Sequence, residues 1–274
     1  MTEAEQATGV ERDTPTAAGL YDAYLGGKNH SLAEKEAADK LRAAMPELEA
    51  TAWANRAFHQ RSAKWLASEA GIRQFIDLGA GLPTQRNTHE VVQEIAPDAH
   101  VVYVDFDRRT VELGSRLVAD DPNTAYVESN LDQVDYVLDH PTLRGLIDLD
   151  KPVAILASAV FHFIADEQDP WGIAKRYMDR VASGSYLALN HVTADKQRPG
   201  PVQTIYSIYR SANTMIYFRN REQVEWFFEG LQMVRPYAGA DPQVTFMGLW
   251  FCDDPIEADD DTGRWFYGGV AKKP

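Results

Sequence analysis

From Gly71 onward, short apolar runs alternate with amphipathic stretches, and this alternation restricts the chain more than any other feature. The runs are Phe75–Leu78, Val101–Phe106, Ala125–Val127, Val153–Ala157 and Tyr186–Leu189. Helical segments are expected near 86–96, 108–119, 133–146, 170–182 and 202–215. Buried strands separated by helices make a parallel, doubly wound α/β sheet. Near the end, a helix around 221–229 precedes a strand at Leu231–Val234. The insert over 237–262 reads as a loop with a short strand at Val244–Leu249, and Trp265–Val270 is a final strand.

The first 70 residues have a different texture. Residues 1–13 read as a polar tail. Thr14-Pro15 reads as a helix start, with Thr as the cap and Pro in the first turn. Leu20, Tyr21, Tyr24 and Leu25 share one helical face, and Gly26-Gly27 stops it. Ser31 to Glu34 is a capping-box pattern that opens a second helix, which Pro46 ends. A third, over Ala50–Ala70, carries Trp53, Phe58, Trp65 and Leu66, with Gly71 at its C-cap. The chain thus divides into a tail (1–13), a helical segment (14–70) and a sheet domain (71–274).

Composition excludes several classes. The sequence has 27 Lys plus Arg against 41 Asp plus Glu, a net charge of −14. Such a chain has no overall attraction for nucleic acid or an anionic membrane. Six acids between Phe251 and Gly263 read as a solvated loop ahead of a metal site. Cys252 is the single cysteine, which rules out an internal disulfide and favours a reducing compartment. The N-terminal sequence lacks the apolar core of a signal peptide, and no run of about 18 apolar residues appears. The expected location is the cytoplasm.

Ligands of doubly wound sheets bind outside the carboxyl ends of the strands. The first strand runs into Asp77-Leu78-Gly79-Ala80-Gly81-Leu82-Pro83-Thr84. A dinucleotide fingerprint needs a third glycine where Thr84 stands, and Pro83 lacks the N–H of a phosphate cradle. An acid two residues before the first glycine suits instead a ligand with cationic groups and no pyrophosphate. S-adenosylmethionine (SAM), with its sulfonium and ammonium, is such a ligand. The alternative is a plain strand-turn-helix. Asp105 ends the second strand, where a carboxylate can accept from both ribose hydroxyls; its other reading, a helix cap, suits Asp107 better. Asn130, after the third strand, offers a donor and an acceptor to an adenine edge, or serves as a turn residue. Past the fourth strand come Ser158 and Phe161-His162-Phe163. His162 is either a base facing the reacting centre or a packed structural histidine.

Together these pieces resemble class I SAM-dependent methyltransferases. More closely, they resemble an actinobacterial S-adenosyl methyltransferase family first catalogued as a domain of unknown function. The resemblance runs through Tyr21 to Lys28, Asn55 to Phe58, Gly71 to Thr84, Asn87 to Glu90, Val101 to Asp105, Lys151 to Phe163, Gly184 to Leu187 and Tyr267 to Pro274. Two segments depart from the family pattern. Lys28-Asn29-His30-Ser31 replaces Lys-Asp-Asn-Phe, and Asn130-Leu131-Asp132-Gln133-Val134 replaces Asp-Leu-Arg-Asp-Pro.

The resemblance implies a Rossmann-like sheet of seven strands behind a helical extension, with SAM as cofactor. It assigns Asp77, Gly79 and Gly81 to the amino-acid end of SAM, Asp105 to the ribose, and Asn130 and Leu131 to the adenine, with Ser158 beside the cofactor. The N-terminal helix would cover it through Tyr21, Gly27 and Lys28, as a lid or as a structural flap. Tyr24, His162, His191 and Tyr209 are candidates to orient or deprotonate a small-molecule acceptor, for which the family setting suggests an aromatic or indole-like secondary metabolite. The rivals are an NAD(P)-dependent oxidoreductase, a silent SAM-binding regulator, and a metal-dependent methyltransferase drawing on the acids near His162.

Overall fold

The computed structural model of the chain describes residues 14–83 and 86–274. The expected tail at 1–13 and Thr84 lie outside the described residues. Three helices come first: Ala17–Tyr24 (α1), Leu32–Ala44 (α2) and Leu48–Ser68 (α3). Thr16, not Thr14, caps α1, accepting from the Gly19 amide. The reason is tertiary. Thr16 also donates its amide and hydroxyl to Glu34 on α2, at 3.1 and 2.7 Å. Glu34 closes the expected capping box with Ser31 and fills the space where a Gly19 side chain would stand.

The sheet domain continues β1 (Gln74–Leu78), α4 (Thr88–Gln93), β2 (His100–Asp105), α5 (Arg108–Leu117) and β3 (Thr124–Glu128). Next are α6 (Val134–Asp139), α7 (Pro141–Leu146), β4 (Ala154–Ser158), α8 (Pro170–Arg180), β5 (Tyr186–Val192) and α9 (Pro199–Ser211). The chain ends with α10 (Arg221–Glu225), β6 (Gln232–Met233), β7 (Thr245–Phe246), α11 (Pro255–Ala258) and β8 (Phe266–Lys272). The helix expected over 133–146 is two helices, because Pro141 lacks a donor and holds His140 extended.

The strand order is β3-β2-β1-β4-β5-β8-β6. β1 to β5 run parallel, and β8 enters antiparallel beside β5. Here the structure corrects one expectation: among the described residues the sheet has eight strands, not seven, because two-residue β7 pairs with β8 through Thr245 and Phe246. The strand expected at Val244–Leu249 stops at Phe246. Arg61 on α3 takes the carbonyls of Met247, Gly248 and Trp250, pulling the chain off the sheet.

Alternate residues feed opposite faces, as the strand period requires. Ile76, Val102 and Ile155 pack under α6 to α8, while Phe75, Val101 and Leu156 pack under α3 and α4. A third apolar cluster joins α1, α2 and the start of α3 to α9 and Trp265. The strand order reverses between β1 and β4, and the N-terminal helices lie over the carboxyl end of that switch point.

Candidate active site

A cavity of about 710 Å³ opens at the switch point, lined by strand ends on one side and the N-terminal helices and α9 on the other. The turn after β1 is built for close approach. Gly79 and Gly81 have φ of +69° and +66°, and a Cβ on Gly79 would lie 2.3 Å from Val160 Cγ2. Gly81 donates its amide to Asp105 Oδ2 at 2.8 Å, and the other Asp105 oxygen accepts from the Asp107 amide. Asp107 in turn caps α5. Asp105 therefore holds the glycine turn while lining the cavity, and burial pushes its carboxyl up.

Asp77 begins a buried chain of hydrogen bonds. Thr88 donates its hydroxyl to Asp77 Oδ2 at 2.6 Å. With that proton committed, His59 Nε2–H must donate to Thr88 Oγ1, 2.7 Å away. His59 Nδ1 then accepts from the Ser158 hydroxyl at 2.9 Å. Burial, with Arg56 nearby, pushes His59 down to about 3, so the neutral ring this wiring needs is the stable one. Burial is also the main cause that raises Asp77 to about 6, against lowering by Thr88 and Arg56.

A second chain fixes α3 to the sheet. Tyr21 donates to the Ala52 carbonyl and accepts from Asn55 Nδ2 at 2.7 Å. Asn190 on β5 donates to Asn55 Oδ1, and accepts from the Ala159 amide at 2.8 Å. That bond holds Ala159 at φ +53°, so the chain turns sharply after Ser158.

The structure brings together Tyr21, Tyr24, Asp77, Gly79, Gly81, Asp105, Asn130, Leu131, Ser158, His162 and Tyr209, all of which line the cavity. Leu131 is fixed from behind by Tyr177, which donates to its carbonyl. Tyr24 and Tyr209 interact with one another, and burial pushes both phenols up, Tyr209 to about 12. Burial drives His162 down to about 3.

Three candidates stand elsewhere. Gly27 and Lys28 are outside the lining, in a turn that buried Asp22 locks by accepting the Asn29 and His30 amides. His191 is behind the wall, between Arg219 and the Val192 carbonyl. Sequence reasoning missed Asn55, Arg56, His59 and Thr88. With Thr51, the first and third form a polar row at four-residue spacing along α3, and that row was the available signal.

Among the described residues, no group of three or more His, Cys, Asp or Glu side chains could hold a metal ion. Nor is any described helix long and apolar enough to cross a membrane. In the acidic insert, Arg264 pairs with Asp259 and Asp261.

A parallel sheet closed by an antiparallel strand, with a glycine turn and an acid at the ends of β1 and β2, defines the class I methyltransferase architecture. The residues fit SAM: two carboxylates for its cationic and hydroxyl groups, and a turn stripped of side chains. Residues 3–274 match the family described as S-adenosyl methyltransferase, and the chain belongs to that family. It is a SAM-dependent methyltransferase. No curated protein matches the chain.

Among solved structures, a DUF574 family protein from Streptomyces avermitilis is similar at 38% identity and TM-score 0.88, over 96% of this chain and 98% of that one. A candidate methyltransferase from Thermobifida fusca follows at 35% and 0.87, over 95% of each chain. A plantazolicin methyltransferase solved with S-adenosylhomocysteine (SAH) is 10% identical, with TM-score 0.50 over 94% of this chain and 95% of that one, and shares the fold alone.

Proposed function

We propose that the chain methylates a small aromatic molecule bound at the helical end of the cavity, with SAM against the strand ends. One observation carries this reading: a single cavity joins the acids and glycines of β1 and β2 to an aromatic chamber made by Tyr24, Phe163, Tyr209 and Trp265. When bound, SAM supplies a sulfonium methyl for in-line displacement, which needs alignment and a dry pocket more than it needs acid-base chemistry.

Asp77 and the Gly79–Gly81 turn hold the amino-acid end of the cofactor, Asp105 the ribose, and Asn130 with Leu131 the adenine. Segment 14–70 acts as a lid whose inner face carries Tyr21 and Asn55. Its turn at Asn29 reaches over to the Pro83 carbonyl beside the glycine turn, at 3.2 Å, which supports that role. Tyr24 and Tyr209 are protonated at neutral pH and His162 is uncharged, so these groups orient an acceptor by hydrogen bonds and steric fit. The net charge of −14 opposes a nucleic-acid acceptor. The single cysteine fits a cytoplasmic setting.

The test is calorimetry with SAH, NAD and NADP, followed by turnover of SAM with a panel of aromatic metabolites. Binding of SAH with turnover of an aromatic acceptor is the expected result. Binding of a nicotinamide nucleotide alone would overturn the cofactor assignment. SAH binding with methylation only of a non-aromatic acceptor would overturn the substrate reading.

A further inference from the structure

The cavity lining includes buried polar atoms that find no hydrogen-bond partner among the described residues. Thr51 Oγ1, His162 Nδ1 and Trp265 Nε1 lack hydrogen-bond partners, and all three side chains are more than nine-tenths buried and line the cavity. Buried polar groups in native proteins are nearly all paired, and an unpaired one is costly. Three of them lining one cavity mark a place where the partner comes from outside.

Charge is distributed unevenly around the same cavity. Asp77, Asp105, Asp107 and Asp132 line it at or just past the strand ends, and Arg56 lines it from α3, beyond that helix's first turn. The lining residues from α1, α2, the first turn of α3, α9, the 212–217 segment and Trp265-Phe266 include no Asp, Glu, Lys or Arg. A charged ligand placed there would lose its water and gain no counter-ion. His162 adds no charge, because burial and the Arg219 guanidinium hold its ring neutral. The indole N–H of Trp265 only donates, so its partner must be an acceptor atom. Thr51 can donate or accept, and so can a neutral imidazole, according to which nitrogen carries its proton.

We propose that the helical end of the cavity is the acceptor subsite, and that it selects an uncharged ring compound carrying an oxygen acceptor for the Trp265 N–H, with Thr51 and His162 binding its remaining polar group. This rests on the methyltransferase reading with an aromatic acceptor. It goes beyond that reading by excluding carboxylate and amine substrates and by naming the residues that do so.

The experiment uses the full chain saturated with SAH and three probes on one skeleton: indole-3-acetamide, indole-3-acetate and tryptamine. Calorimetry should show the neutral amide binding at least tenfold tighter than either ion. Trp265→Phe and Thr51→Val should each weaken the amide fivefold or more and leave SAH affinity unchanged. Equal or tighter binding of either ion overturns the proposal. Failure of SAH to bind would instead overturn the cofactor assignment. If SAH binds and no indole does, the aromatic reading fails, and the ligand-free melting temperature of Thr51→Val decides this one. An unchanged or raised value supports an unpartnered hydroxyl awaiting a ligand, and a drop of several degrees overturns it.

Discussion

Arg219 donates Nη1–H to Nε2 of His191 across 2.6 Å, and that contact removes His191 from the chemistry. A guanidinium has only donors, so Nε2 must accept, and the imidazole proton sits on Nδ1, bonded to the Val192 carbonyl at 2.8 Å. Burial, with His162 and Arg219 adjacent, keeps the ring neutral far below the usual range. Both nitrogens are occupied. His191 serves as a fixed acceptor for a buried cation, which also takes the Phe161 and Ile164 carbonyls and the Asp166 carboxylate.

Arg219→Lys should therefore destabilise the protein. A single ammonium cannot reach four acceptors in a fork. Breaking a buried charge network costs about 3–5 kcal/mol, which in a chain of this size is a fall in melting temperature of roughly 10 °C. A thermal melt checks it. Because the carbonyls released belong to the turn carrying His162, methyl transfer should fall as well.

Gly79→Ala should disrupt the cofactor turn. The new Cβ meets Val160 Cγ2 at 2.3 Å and Cβ at 2.8 Å, with φ already at +69°. Left-handed strain alone costs about 1–3 kcal/mol, and the clash adds to it. SAH binding should be lost. Val160→Gly in the same chain should restore part of it by removing the clash while leaving the strain, and calorimetry on the pair separates the two.

Asp77 gives a pH signature. Its folded value near 6 lies above the ordinary 3.8, so the folded state holds the proton more tightly than the unfolded chain. Stability from this group is greatest below about pH 4 and declines through pH 6 as the buried carboxylate ionises. Asp77→Asn should flatten that decline and raise stability at pH 7 by about 1–3 kcal/mol. Binding moves the other way. A cationic ammonium prefers ionised Asp77, so SAH affinity should rise about tenfold from pH 5 to pH 7 in the parent and stay level in Asp77→Asn. Calorimetry across that range measures it.

Asp105→Ala should weaken SAH by more than one lost contact. The carboxylate faces the cavity and also accepts the Gly81 and Asp107 amides, so its removal loosens the glycine turn. Hydrogen bonds to a charged group contribute about 1.5–3 kcal/mol, or roughly 10- to 150-fold in affinity. Asp107→Ala, which loses the cap of α5 and lies two residues further along the cavity wall, should cost SAH affinity less.

The sheet was legible because its signals are local. Apolar runs, helix starts and the Asp77-to-Gly81 turn are read from neighbours in the chain. The capping box at Ser31 and Glu34 was equally visible. What escaped was non-local. Thr16 replaced Thr14 as a cap because Glu34 reached it from another helix. His59 joined Asp77 through Thr88, a contact spanning α3, α4 and β1 that no short window contains. His191 is a candidate by residue type at the end of β5, and only the arrival of Arg219 from 28 residues away shows both its nitrogens engaged. The polar row along α3 did leave a trace in the sequence, as a four-residue spacing within one helix.

The strand that completes the sheet is Phe266–Lys272, seated between β5 and β6. The residues just before and at its start, Trp265 and Phe266, form part of the cavity wall. A chain emerging from the ribosome thus carries its glycine turn, its acids and its α3 histidine well before the chamber can close. Domains fold as units during synthesis at about 5–20 residues per second, so for several seconds the growing chain exposes an unpaired β5 edge and an open apolar chamber. Through that interval the open sheet edge and the unclosed chamber are where the growing chain is exposed to aggregation.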